Sequence, residues 1–334
     1  WRLASSFPET LDILHGSAEY IAERVSELTG GRFAIRVYAP GEIVGGLQVM
    51  DAVQQGTVQA GYTAGYYYVG KNPALAFDAG VPFGLTCRQQ LAWINQGGGL
   101  ELLRDVYSDF GIIQFPAGTT GMQMGGWFRD PIETLADLRG LRMRIPGVGG
   151  EILSRLGASV QVLAGSEIYP ALERGAIDAT EWVGPYDDEI IGFYQIAKNY
   201  YMPGWWEPGM NTTLQVSQEA WDELPPSYQA LIETVCQEST MRMMNRYDIE
   251  NPLALARLVN DHGVTLRTFS DEILSAAWRE SNAYLAELAA DDATFRSVYD
   301  SWKDYRERAF PFFDGNEQAY QRFAFAQIPS PYRS

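Results

Sequence analysis

The stretch Arg139-Gly140-Leu141-Arg142-Met143-Arg144-Ile145-Pro146-Gly147 gathers residue types that can do chemistry with a small anion. A short helical run over 134–138 stops at Gly140. In the strand-like alternation that follows, Leu141, Met143 and Ile145 share one face, and Arg142 and Arg144 the other. Pro146 has no N–H to give a sheet, so the strand ends there and leaves Arg144 near its mouth. A guanidinium held at a strand end offers a carboxylate a planar fork of two parallel charge-assisted hydrogen bonds. The competing reading is a solvated face whose surface ion pairs are worth little. Other chemistries find less support. Cys87 and Cys236 form neither a metal motif nor a disulfide framework, and two unpaired buried thiols are expected. His15 and His262 are too far apart for local metal-ligand spacing and read as ordinary helix-end residues.

The chain around that arginine has 334 residues, more than one compact core usually takes, so two domains are expected. Its 46% hydrophobic and 13% aromatic content is ample for burial and argues against disorder. Nineteen tyrosines and nine tryptophans suit the walls of a small-molecule cleft, although most must serve the core. The formal charge of −17 argues against nucleic acid or an anionic membrane as partner, because both select basic faces. It leaves room for an anionic ligand, which needs only one local arginine. No apolar run approaches the roughly 20 residues of a spanning helix. No secretory signal is read, and a start at Trp1 without Met reads as processed or trimmed.

The elements that must position Arg144 follow from periodicity. Strands are expected at 1–6, 33–38 and 58–62, alternating with helices at 11–28 and 47–55, an order that implies a parallel sheet with crossover helices. Ligands of such sheets sit beyond the strands' carboxyl ends, where Tyr66, Tyr67 and Tyr68 fall. Helices at 88–94 and 100–110 lead to a strand at 112–115, and the loop-rich stretch 118–126, containing Gln123, reads as a crossover between domains. A helix at 150–156, a strand at 159–162, a helix at 168–174 and a strand at 178–183 repeat the pattern. Residues 212–216 read as the return crossover. Pro225-Pro226 opens a long helix to about Asp261, bent at Pro252 and capped at Gly263, which must span both domains or reach a neighbouring subunit. Helices near 270 and over 293–309 follow, and the aromatic stretch 318–326 either packs back or docks on a partner.

By these motifs the chain resembles the extracytoplasmic solute-binding proteins of TRAP transporters (tripartite, ATP-independent uptake systems). The resemblance rests on Leu28-Thr29-Gly30-Gly31-Arg32-Phe33, on Tyr38-Ala39-Pro40-Gly41-Glu42-Ile43-Val44-Gly45, and on the arginine stretch 138–147. Residues 51–57 and 171–179 also match. The segments Gln123-Met124-Gly125-Gly126-Trp127-Phe128, Glu181-Trp182-Val183-Gly184-Pro185-Tyr186-Asp187-Asp188 and Trp205-Trp206-Glu207-Pro208-Gly209 are similar to the 2-oxo monocarboxylate branch, the binders of pyruvate and its short homologues.

What the resemblance implies is an α/β, two-domain periplasmic-binding-protein fold with crossover strands and a long helix spanning both domains. Domain I would comprise 1–120 plus about 212–250, and domain II 121–211 plus about 251–310. Residues 311–334 would form a C-terminal helix and tail able to pack on a partner subunit. Arg144 would clasp the ligand carboxylate, and sodium or calcium would bridge ligand and protein through the side chains of Gln123, Glu181 and Glu207 and the main-chain carbonyl of Trp182. These are hard oxygen ligands, right for sodium or calcium and wrong for zinc or copper. Tyr67, Tyr186, Phe7 and Trp206 are expected as cleft walls, with Asn211 in reach of the ligand. The implied partners are a small organic acid anion and the membrane permease subunits; some relatives in this branch are dimers built by exchange of C-terminal helices, which the long helix here permits without requiring it. The implied location is the periplasm, and no turnover is expected. Two rivals stand beside this reading: an enzyme using Glu181 and Glu207 as an acid/base pair, and a ligand-sensing module of the same fold.

Overall fold

The structure is a computed structural model that describes residues 1–330. The last four residues of the expected C-terminal tail lie outside the described residues. The chain opens with β1 (Arg2–Ser5), α1 (Leu14–Leu28), β2 (Arg36–Tyr38), α2 (Val49–Gln54) and β3 (Ala60–Thr63). Three helices, α3 (Ala76–Ala79), α4 (Cys87–Gln96) and α5 (Gly99–Ser108), lead to the long strand β4 (Ile112–Thr119). The middle of the chain holds β5 (Gly126–Phe128), β6 (Arg142–Arg144), α6 (Gly147–Arg155), β7 (Ser159–Gln161), α7 (Gly165–Glu173), β8 (Ala179–Thr180), α8 (Pro185–Ile191) and β9 (Asn199–Met202). The chain continues with β10 (Asn211–Ser217), α9 (Gln218–Asp222), α10 (Pro226–Asn260), β11 (Thr265–Thr268), α11 (Asp271–Asp291), α12 (Ala293–Phe313) and α13 (Ala319–Ala326).

Two sheets organise these elements, in the orders β2-β1-β3-β10-β4 and β11-β9-β5-β8-β6-β7. The first is parallel over β1, β2 and β3, as the alternating order implied, but β10 runs antiparallel to both β3 and β4. The reason is the path of the chain. Strand β4 leaves the first sheet and β5 enters the second, while β9 leaves the second and β10 returns to the first. A strand that returns from the other lobe starts at the edge from which β4 departs, so it must run the opposite way. The same logic makes β5 antiparallel to β8 and β9.

Helix α10 has 35 residues, about 52 Å at 1.5 Å per residue. Its buried positions Ile232, Val235, Cys236, Ser239, Met243, Tyr247, Ala254 and Leu258 recur at helical spacing along one stripe. That stripe packs on β4 and α1 of the first lobe and on α8 of the second. The segment expected to belong to domain II, about 251–310, divides. Strand β11 joins the second sheet and α11 packs on α6, whereas α12 lies against α4 and α5 of the first lobe. Helix α13 does not fold back into a core: Tyr320, Phe323, Phe325 and Ile328 are exposed. Cys87 and Cys236 are not bonded to each other. Among the described residues no helix is long and apolar enough to cross a membrane.

Inside the first lobe Asp78 is a buried carboxylate with no basic partner. It accepts from the Tyr107 hydroxyl at 2.8 Å and the Gln114 amide at 3.3 Å. Burial pushes its pKa up to about 6 from an ordinary 3.8, against the pull of those donors. Folding therefore favours the protonated form. The associated stability is fully present below about pH 4 and is lost as pH rises through about 6, a change on the order of 3 kcal/mol. Urea unfolding of the native protein and of Asp78→Asn should show it. The stability difference between them falls by that amount from pH 4 to 7, and a pH-independent difference would contradict the burial argument.

Candidate functional site

Strand β6 places two arginines on one face and gives them opposite surroundings. Arg142 is exposed and pairs with Asp178. Arg144, two residues on, is 1% exposed because the first lobe covers that end of the strand. A Cβ on Gly147, just beyond it, would stand 3.1 Å from the Tyr66 side chain, so the two lobes touch here. The solvated-face reading of this strand is therefore wrong at Arg144. The guanidinium lies 5.2 Å over the Trp182 ring, donates from Nε to the Leu163 carbonyl at 3.1 Å, and gives Nη1 to the Glu181 carboxylate. Nη2 is buried with no hydrogen-bond partner. The open two-bond fork expected from sequence is thus half engaged by Glu181, and Nη2 remains the free donor. Burial alone would lower the pKa of Arg144, but the charge of Glu181 and the hydroxyls of Tyr67 and Tyr66 carry it upward, so it stays charged.

Three segments meet beside this arginine, joined by backbone hydrogen bonds. The Met124 N–H donates to the Val183 carbonyl at 3.0 Å, and the Gly204 N–H to the Gln123 carbonyl at 3.0 Å. The Glu207 N–H donates to the Gly204 carbonyl at 3.2 Å, and the Gly125 N–H to the Tyr201 carbonyl at 2.7 Å. Two glycines permit this proximity. Gly126 has φ +88° and a Cβ there would stand 2.5 Å from the Thr180 carbonyl oxygen; one on Gly204 would stand 2.7 Å from the carbonyl oxygens of Gln123 and Met124. Residues that sequence placed in separate loops (Gln123, Glu181, Trp182 and Glu207) are thereby held in one buried region.

Gln123, Glu181 and Glu207 are 1%, 1% and 3% exposed. Gln123 Oε1 and Glu207 Oε2 are buried without any hydrogen-bond partner. Burial raises the pKa of Glu181, opposed by Arg144 and reinforced by the charge of Asp188. Burial raises that of Glu207 further, with the charge of Glu181 adding to the effect. With both ionised, as a bound cation would hold them, the two carboxylates outweigh the one guanidinium; without it, burial and mutual repulsion favour the protonated form of Glu207, since each close like-charge pair costs about 4 kcal/mol at intermediate dielectric. Orphaned oxygens of amide and carboxylate type fit a hard cation such as sodium or calcium. Among the described residues there is no cluster of three or more His, Cys, Asp or Glu side chains that could hold a metal ion. A cation here would depend on amide and main-chain oxygens as well as the two carboxylates.

Arg144 also borders an enclosed space lined by Phe7, Leu14, Tyr66, Tyr67, Trp182, Val183 and Met210. Phe7 and Tyr67, expected as cleft walls, both line this space. Leu14, Tyr66, Val183 and Met210 join them without having been singled out as walls from sequence; Tyr66 was legible as a residue beyond the end of β3, while Leu14 reads as ordinary helix core. Burial raises the hydroxyl pKa values of Tyr66 and Tyr67, which remain protonated donors. Trp206 does not border this space: its ring packs edge-on against Trp205 and Phe269. Tyr186 is not a wall either. Its hydroxyl donates to Asp12 at 3.0 Å at the exposed rim, because the helix it opens turns that side chain outward. Asn211 opens β10, 1% exposed, with both amide atoms unpartnered. His15 Nδ1–H donates to the Phe7 carbonyl at 3.0 Å, and His15 has no place among the site groups.

With that geometry, the kinship of the chain is informative. A family model described as bacterial extracellular solute-binding protein, family 7 (DctP), matches residues 4–292. The chain is 52% identical over 324 residues to a monocarboxylate 2-oxoacid-binding periplasmic protein of Nostoc sp., spanning 97% of this chain and 88% of that one. A TRAP transporter solute-binding protein from Bordetella bronchiseptica is similar at TM-score 0.96 and 45% identity, covering 98% of this chain and 97% of that one. It is a mixed occupancy dimer with copurified calcium and picolinate in one active site and an apo second site. A TRAP periplasmic solute-binding protein from Pseudoalteromonas atlantica, with bound sodium and pyruvate, is similar at TM-score 0.93 and 38% identity, covering 96% and 98%. The matched length, the two-lobed α/β fold and these identities agree, and the chain belongs to family 7 of the bacterial extracellular solute-binding proteins, the DctP family of TRAP transporter receptors.

Proposed function

We propose that this protein is a periplasmic receptor that captures a small 2-oxo or 2-hydroxy monocarboxylate such as pyruvate and delivers it to TRAP membrane permease subunits. One observation carries the reading: buried, partnerless oxygens of Gln123 and Glu207 stand in the same dry region as Arg144, whose Nη2 is also partnerless. In this reading Nη2 of Arg144 binds one ligand carboxylate oxygen, with the Tyr66 and Tyr67 hydroxyls and the Asn211 amide as further partners. Sodium or calcium is held by the side chains of Gln123, Glu181 and Glu207 and the carbonyl of Trp182. Such a cation supplies a positive charge that turns carboxylate–carboxylate repulsion into attraction and selects acids with an oxygen at carbon 2. The names of the relatives support this choice: one binds 2-oxoacids, one holds calcium and picolinate, one holds sodium and pyruvate. The two lobes act as domains that close around the ligand, α10 remaining the common support. No reaction is required of the site; the ligand leaves unchanged.

Arg144→Ala should lower pyruvate affinity at least a hundredfold in calorimetry with sodium or calcium present, because a buried carboxylate loses its charged partner. Undiminished affinity would rule the arginine out. Glu207→Ala should abolish the dependence of pyruvate binding on added sodium or calcium, read as the ligand-induced rise in melting temperature across a cation titration. A dependence equal to that of the native protein would remove Glu207 from the cation site.

The exposed aromatic run on α12 and α13 supports a second copy as partner. Phe312, Tyr320, Phe323, Phe325 and Ile328 are 58–72% exposed, far more apolar surface than a free helix end needs. In sedimentation velocity the native chain should run as a dimer, and Phe323→Asp combined with Phe325→Asp should shift it to monomer. A native monomer at micromolar concentration would refute helix exchange.

A further inference from the structure

Asp188 is buried beneath the segment 181–184, 1% exposed, in the first turn of α8. No basic group neutralises it. Three donors hold it instead: Trp127 Nε1–H at 2.9 Å and the Tyr200 hydroxyl at 2.6 Å, both on Oδ2, and the Val183 N–H at 3.4 Å on Oδ1. Two of the donors come from the second sheet and the third from the strip that follows β8. Trp127 on β5 and Tyr200 on β9 are register partners whose rings stack at 3.9 Å, and Trp127 is also paired with Thr180, the residue before Glu181. Val183 follows Trp182, and its carbonyl takes the Met124 N–H one residue from Gln123. A single carboxylate therefore ties the strip Glu181-Trp182-Val183 to β5 and, beyond it, to β9.

We propose that Asp188 is a positioning residue for the cation half of the site. It touches neither ligand nor cation in this arrangement. It sets where the Glu181 carboxylate and the Trp182 carbonyl stand, by holding Val183 from below against the rigid Trp127–Tyr200 stack. The strip lies outside regular secondary structure, since β8 ends at Thr180 and α8 begins only at Pro185, and its other main-chain ties are the Glu181 N–H to the Arg144 carbonyl at 3.3 Å and the Met124 N–H to the Val183 carbonyl at 3.0 Å. This inference rests on the cation-bridged reading above. The effect falls on the cation rather than on Arg144, because Arg144 is fixed separately by β6 and the Leu163 carbonyl.

Asp188→Asn keeps size and shape but turns an amide donor toward N–H or O–H donors on one side or the other, so the strip must shift. Removing a group that orients metal ligands typically costs 10- to 100-fold in metal affinity. Isothermal titration with pyruvate over graded sodium chloride or calcium chloride separates the two quantities. The cation concentration for half-maximal pyruvate binding should rise at least tenfold in Asp188→Asn, while pyruvate affinity at saturating cation stays within about threefold of native. Tyr200→Phe keeps the ring stack and deletes one donor, and should move the cation midpoint the same way by a smaller factor. It decides the matter if Asp188→Asn does not fold. Cation-free melting temperatures are measured alongside. A lowered melting temperature with the cation midpoint within twofold of native in the folded variants would mean a purely structural role and overturn the proposal. A native protein whose pyruvate binding ignores both cations would instead overturn the cation-bridged reading, and this inference with it.

Discussion

A guanidinium buried between two lobes, facing two carboxylates, is the constraint on which the rest of the structure depends. Arg144 is almost wholly sequestered, yet Glu181 keeps it charged. Glu207, with an orphaned oxygen and a pKa that burial and the Glu181 charge push up, would add a second negative charge only once ionised. Such an arrangement is poor as a stabilising device, since buried ion pairs rarely repay their desolvation. It makes sense as a socket that awaits two more charges, one negative and one positive. Each added charge satisfies groups that are otherwise stranded, which is how a small ligand can hold two domains together.

The fold delivers this socket through the ends of its strands rather than through any one motif. Strands β4 and β10 and strands β5 and β9 are the routes between the lobes, and the residues beside those routes are Gln123, Glu207 and Asn211. Arg144 ends β6, and Glu181 follows β8. Arg144 and Asn211 are fixed by strands at their bases, and Gln123, Glu181 and Glu207 by the loops that leave or enter the strands. The tyrosines after β3 supply the opposite wall. Helix α10 touches both lobes, so hinge motion has a continuous support beneath it. The rim contact of Tyr186 and Arg246 with Asp12 closes the same gap from outside the cleft.

Much of this was legible residue by residue. The strand before Pro146, the long helix after Pro226 and the return strand near 212–216 follow from periodicity and proline chemistry, which are local. Less was legible where tertiary contact overrides local pattern. The strand expected over 178–183 stops at Thr180, because Glu181 to Gly184 leave the sheet to line the site. The short helix α8 was missed although Pro185 at its first position, Asp187 and Asp188 in its first turn and left-handed Gly192 at its end all marked it. Tyr186, expected in the cleft, stands at the start of this helix with its side chain at the rim, and the Trp206 ring, expected as a wall, packs against Trp205 and Phe269.

From the order of residues alone came the alternating α/β class, the two-lobed division, the strand-end arginine and, through family resemblance, the oxygen donors proposed for the cation. Those properties are written in short-range spacing and in residue chemistry. Only the tertiary structure decided that Arg144 is dry while Arg142, on the same face of the same strand, is wet. Only it left Gln123 Oε1 and Glu207 Oε2 buried without partners and set Asp188 beneath the strip that carries Glu181. Burial and charge balance are sums over atoms far apart in the chain, and no local pattern encodes them.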